Sequence, residues 1–294
     1  MAEHSHDHHR HHGASRALKG AVALTIAFAV VEALGGWWTG SLALLSDAGH
    51  MLTDAAALAL GAIAAWMARR PPSERHSYGL GRAEIVAALV NAAAMLLVIA
   101  ALAYEAARRL GQPSEVNGEA AALIALAGLA LNLAVLHRLA PHDHDLNVRA
   151  ARLHVFGDVL GSVAAVAAGA AVAFTGWTRI DSIASLVICV LIAASSVRLI
   201  RESLHALMEG VPQGLSVGTV GAEMAGVAGV VSVHDLHVWM LSGSRTALSA
   251  HIVVRSMAHW EGTRRELQTR LHEKFGIDHV TLQPESVAQP LVRR

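Results

Sequence analysis

The chain has 294 residues, 54% hydrophobic and only 16% charged, with mean hydropathy +0.44 and no net charge when histidine is neutral. That composition excludes an ordinary soluble domain, gives no sign of a nucleic-acid partner and points to several membrane spans. Nineteen histidines exceed ordinary usage, whereas the single Cys189 excludes a disulfide framework or a cysteine-built zinc site and reads as a small core residue.

Residues 1–16 carry His4, His6, His8, His9, His11 and His12 between Glu3, Asp7 and Arg10, without an apolar anchor. They are expected to be a disordered tail, either a weak metal gatherer or a spacer. No apolar core of a cleavable signal precedes the first span, which is therefore expected to direct insertion. Apolar segments follow at 17–38, 42–68, 84–104, 119–139, 151–174 and 180–200. Each suits a helix of ~20 residues crossing ~30 Å of hydrocarbon, giving six spans over a domain at 17–208. Trp37-Trp38-Thr39-Gly40 reads as an interfacial turn between the first two. With the N-terminus inside, the inner segments hold Arg10, Arg16, Lys19, Arg69, Arg70, Arg75, Arg82, Arg138, Arg149, Arg152, Arg198 and Arg201. The outer ones hold only Arg108, Arg109 and Arg179, so both termini are expected in the cytoplasm.

After Glu209-Gly210-Val211-Pro212 the composition turns polar. A short helix at 215–226, strands at 231–240 and 246–255, an amphipathic helix at 260–274 and a last strand at 280–282 are expected. Trp260, Leu267, Leu271 and Phe275 mark that helix's buried stripe. The order α-β-β-α-β suggests a small ferredoxin-like α+β domain at 209–294.

The polar residues within the spans carry the chemistry, because ionisable groups at bilayer depth are costly and call for a partner. His50 and Asp54 are four residues apart, one above the other on a helix face, and His154 and Asp158 repeat the spacing a hundred residues later. Singly, each pair is explained by a cap or an internal hydrogen bond. Two facing pairs make a tetrahedral N₂O₂ site suited to Zn²⁺, whose double charge two carboxylates neutralise. The apolar run of the fifth span starts only after Arg152, so His154 looks shallow: either that helix extends below the membrane or a wet cavity reaches the site. Asp47 lines an exit path or sits among headgroups; Glu32 either packs against a neighbour's polar group or serves ion passage. Asn91 and Asn132 read as interhelical glue, and Gly157, Gly161 and Ala165 as a packing stripe.

The doubled motif, six spans and a soluble tail resemble the cation diffusion facilitator family. So do Tyr78-Gly79-Leu80-Gly81-Arg82, Asn147-Val148-Arg149-Ala150-Ala151 and His234-Asp235-Leu236-His237-Val238-Trp239. The likeness is greatest to its bacterial zinc exporters. It implies a homodimer in the inner membrane that exports Zn²⁺, with Cd²⁺ and Co²⁺ as further candidates, in exchange for protons. It also implies His50, Asp54, His154 and Asp158 as transport ligands; a histidine at position 50 is similar to zinc-selective members. Metal and protons compete for the same four side chains, which near-neutral pH balances.

In the tail, His234, His237 and His251 can approach across a hairpin, and Glu285 can complete a site. The resemblance implies regulatory metal binding there near a dimer interface, although Leu282 and Pro284 stand where ligands are expected. His142 and His144, between Asp143 and Asp145, either deliver metal or form a solvated loop; His259, His272 and His279 have no assigned role. An intramembrane metalloenzyme lacks its H-E-x-x-H motif and open coordination position. A membrane-bound metal sensor remains the alternative to transport.

Overall fold

The computed structural model describes residues 6–139, 146–243 and 245–287, with side chains over 23–137, 155–243 and 245–287. Its helices are α1 (His6–Thr39), α2 (Leu42–Ala68), α3 (Ala83–Gly111), α4 (Gly118–Leu139), α5 (Leu146–Thr175) and α6 (Arg179–Leu207). Helices α2 to α6 hold five stretches long and apolar enough to cross a membrane, and α1 adds the shorter apolar stretch Ala23–Thr39. Several helices outrun their apolar segments because charged residues prolong them. On α3, Glu105 accepts from Arg108 and Arg109 at 2.7 and 2.8 Å, at i+3 and i+4 spacing. Helix α5 starts at Leu146, ahead of its apolar run, so His154 lies two turns inside a continuous helix. The chain divides into two compact units, Met1–Ala59 with Val90–Arg198 and Leu60–Leu89 with Leu199–Arg294.

In the first unit, α2, α4 and α5 meet along an alanine seam of Ala43, Leu44, Ala121, Ala125, Ala165 and Ala168. Small residues allow this closeness where lipid offers no hydrophobic drive. A Cβ on Gly169 would lie 2.7 Å from the Ala122 nitrogen, and one on Gly118 2.6 Å from that of Ala173. Of the expected stripe, Ala165 joins this seam, whereas Gly157 meets nothing within 4 Å. Cys189 is buried beside Met95, Ile99 and Ile188, as its apolar setting implied.

The start of α2 is fixed from outside its own helix. Ser41 Oγ accepts from the Leu44 amide at 3.2 Å and donates to Asp181 Oδ1 at 2.6 Å. Asp181, at the head of α6, also accepts from the Leu42 and Ala43 amides at 2.7 and 3.4 Å. The carboxylate is buried, so its negative charge meets the positive end of α2 away from water. Asp181→Ala would strand these donors, and about 3 kcal/mol of stability is expected to be lost. A melting temperature unchanged from the parent chain in detergent would refute this.

The second unit contains α7 (Val217–Ala225), β1 (Val230–Ser242), β2 (Arg245–Val254), a 3₁₀ turn at Met257–His259, α8 (Trp260–Phe275) and β3 (His279–Ser286). This is the expected α-β-β-α-β order. The sheet runs β1-β2-β3, with β2 antiparallel to β1 and parallel to β3 across the α8 crossover. Val220 and Met224 of α7, Val238, Leu248 and Ile252 of the sheet, and Leu267 and Leu271 of α8 form the core. Trp260 and Phe275 flank that core half-buried. Gly276, at φ +64°, ends α8 in the left-handed turn that suits glycine. The last strand is longer than its apolar triplet because pairing with β2 carries it through Ser286.

Candidate metal centres

The first centre lies in the helical unit. One helical turn on α2 brings His50 Nδ1 to 3.3 Å from Asp54 Oδ2. On α5, Asp158 points inward and sets Oδ1 3.9 Å from His50 Nε2. The imidazole therefore stands between two carboxylates, and ligand atoms of His50, Asp54 and Asp158 all lie within 4.8 Å of one another. Asp158 has a side chain only 2% exposed, against 27% for Asp54. The cluster is thus closed on the α5 side and more open on the α2 side. His154 lies one turn before Asp158 on the α5 backbone; its side chain falls outside those described.

Beside this cluster runs a polar chain that the sequence only hinted at. Asn132 Nδ2 donates to Ser162 Oγ at 3.1 Å, and Ser162 Oγ donates to Asp47 Oδ2 at 3.2 Å. This agrees with Asn132 as interhelical glue, and the Asp47 carboxylate is buried against α5. Gly161, expected to pack helices, instead leaves a notch: a Cβ there would lie 2.7 Å from Asp47 Oδ1. Ser162 carried no motif, so no sequence signal would have found it.

The second centre lies on the sheet. His234 on β1 faces His251 on β2, their rings 5.2 Å apart. Glu285 on β3 accepts from His251 Nδ1 at 2.7 Å and from His234 Nε2 at 2.9 Å. These bonds, from His251 first and His234 second, hold the Glu285 carboxyl below the usual carboxylate range. Two imidazoles and a carboxylate on one face make a donor set that suits Zn²⁺. His237 stays out of the group. It pairs with Ser249, two residues along β2 from His251, and bonds Asp235 at 3.1 Å instead. Leu282 and Pro284 pair with Ala250 and Ile252, so they alternate onto the opposite face, where Leu282 packs on the core. His142 and His144 lie outside the described residues.

Comparison with known proteins agrees with both halves. Residues 18–208 match the family model of the cation efflux transmembrane domain, and residues 212–287 that of the cation efflux protein cytoplasmic domain. The zinc transporter ZitB of Yersinia pestis is 40% identical over 275 residues, covering 92% of this chain and 88% of the relative. The cadmium, cobalt and zinc/H(+)-K(+) antiporter of Bacillus subtilis is 37% identical, covering 89% and 86%. Among solved structures, the metal-bound C-terminal domain of the CzcD transporter from Cupriavidus metallidurans is 34% identical over 24% of this chain and 99% of that one, with a TM-score of 0.23.

Proposed function

The chain belongs to the cation efflux family, the cation diffusion facilitators, and on that premise we propose that it exports Zn²⁺ from the cytoplasm in exchange for protons. It is a multi-pass membrane transporter and not an enzyme. The observation that carries the proposal is the convergence of His50, Asp54 and Asp158 from two helices within the apolar bundle. His154, one turn from Asp158, supplies the fourth ligand. Two neutral imidazoles and two carboxylates balance a dication, so the loaded site is tolerable in low dielectric. Zn²⁺ needs these groups deprotonated, and protons entering from outside displace it there. The protonated site then favours the inward-facing state, a population shift driven by differential affinity. The cadmium, cobalt and zinc antiporter of Bacillus subtilis, as a relative, supports Cd²⁺ and Co²⁺ as further cargo.

In this reading residues 17–208 form the transport domain, 209–294 the cytoplasmic regulatory domain and 1–16 the histidine-rich tail, with both termini inside the bacterial inner membrane. The excess of inner arginines supports that orientation. The chain acts as a homodimer through its tail, whose family model is itself named for a dimer. Zn²⁺ held by His234, His251 and Glu285 regulates transport. Glu285→Gln, in a chain also carrying Asp158→Ala, is expected to lower bound zinc by one ion per chain in equilibrium dialysis. It should also lower stability at neutral pH and leave it unchanged in strong acid. Because the Glu285 pKa is lowered on folding, its contribution is full above the ordinary carboxylate range and vanishes as pH falls through the lowered value.

The deciding experiment uses the purified chain in liposomes with an internal zinc indicator. An exporter moves Zn²⁺ under an imposed pH gradient; a membrane-bound sensor binds it and leaves the indicator dark. A parallel arm with a K⁺ gradient separates the two counter-ions.

A further inference from the structure

We propose that Glu32 of α1 is a proton-binding site separate from the metal ligands, a neutral carboxylic acid in the conformation described here. The inference rests on the antiport reading only for its role in the cycle; the protonation state stands on geometry.

Glu32 is fully buried, and neither of its carboxylate oxygens has a hydrogen-bond partner among the described residues. Helix α4 makes room for it: a Cβ on Gly128 would collide with Glu32 Oε1 and lie 2.6 Å from the Phe28 ring. The charged groups that act on it are Asp47 of α2 and Asp158 of α5, both of its own sign. Among the described residues no lysine or arginine bonds it. An isolated buried carboxylate costs many kcal/mol, whereas the neutral acid costs only its missing hydrogen bonds. Asp47 differs in receiving the Ser162 hydroxyl, so of the two acids Glu32 is the one that must hold the proton.

A group that is neutral when buried and ionised when wet exchanges its proton only when helix movement brings water to it. One proton then leaves the carboxyl for water on one side and returns from water on the other. Glu32 thereby adds one proton to each cycle beyond those that compete for the metal ligands, at a place the metal does not visit.

The test compares the parent chain with Glu32→Gln and Glu32→Met in liposomes. At neutral pH, infrared spectra of the parent should contain a protonated-carboxyl stretch that loses the intensity of one group in both variants. Zinc binding should stay within about threefold of the parent, while protons moved per Zn²⁺ fall by one. Glu32→Met should fold at least as well as the parent, since it removes an unpaired polar group and not a charge partner. Unchanged carboxyl intensity, an unchanged proton count, or a Glu32→Met chain that no longer folds would each overturn the inference. Flux in the parent that ignores the pH gradient would sink the antiport reading while leaving the infrared result to decide on Glu32.

Discussion

Replacing Asp158 by alanine is expected to cut zinc flux in reconstituted vesicles at least ~100-fold, because altering even the outer partners of metal ligands costs ~10–100-fold. In the proposed site the substitution removes one of four ligands and one of two negative charges. With a dication bound, the site would then carry a net positive charge away from water, a penalty of several kcal/mol. Asp54→Ala should be severe but slightly milder, because the Asp54 side chain is 27% exposed and leaves room for a replacement ligand, whereas that of Asp158 is only 2% exposed. Stopped-flow fluorescence with the zinc indicator gives both rates. If either variant transported at the parent rate while remaining folded, the four-ligand site would be refuted.

The second large effect concerns pH. Raising proton concentration on the release side should accelerate zinc movement, and collapsing the gradient with an ionophore should slow it to the rate set by the zinc gradient alone. Each competing proton is worth ~1.4 kcal/mol per pH unit, so a one-unit gradient coupled to one proton sustains a tenfold zinc gradient. The sign follows from the ligands: Zn²⁺ binds the deprotonated site, so acid on the outside promotes release and acid on the inside opposes loading. A steady-state zinc ratio that stays the same whatever gradient is imposed would rule out exchange.

The sequence carried the parts of this architecture that rest on spacing. His50 and Asp54 recur as His154 and Asp158, and a four-residue period is visible without coordinates. The tail order was equally plain, since strand alternation and the Leu267, Leu271 stripe are local patterns. What stayed hidden depends on register and on partners distant in the chain. His237 looked equivalent to His234, yet the ladder sets it opposite Ser249 and not beside His251. Leu282 and Pro284 looked like missing ligands, yet parallel pairing with β2 turns them to the other face. The early start of α5 was obscured because Asn147, Arg149 and Arg152 interrupt the apolar run without interrupting the helix. Gly161 reads as a packing residue until a carboxylate from another helix is found in its notch.

Asp181 has a further consequence for the transport cycle. Its bonds to Ser41, Leu42 and Ala43 tether one end of α2, while His50 and Asp54 sit farther down the same rod. From Leu42 to Asp54 the helix rises ~18 Å, so swinging it by ~10° about the tethered end would carry Asp54 sideways by ~3 Å. That is more than the length of a zinc–oxygen bond. A small tilt of a lever fastened at its far end is therefore enough to tear a ligand from the ion.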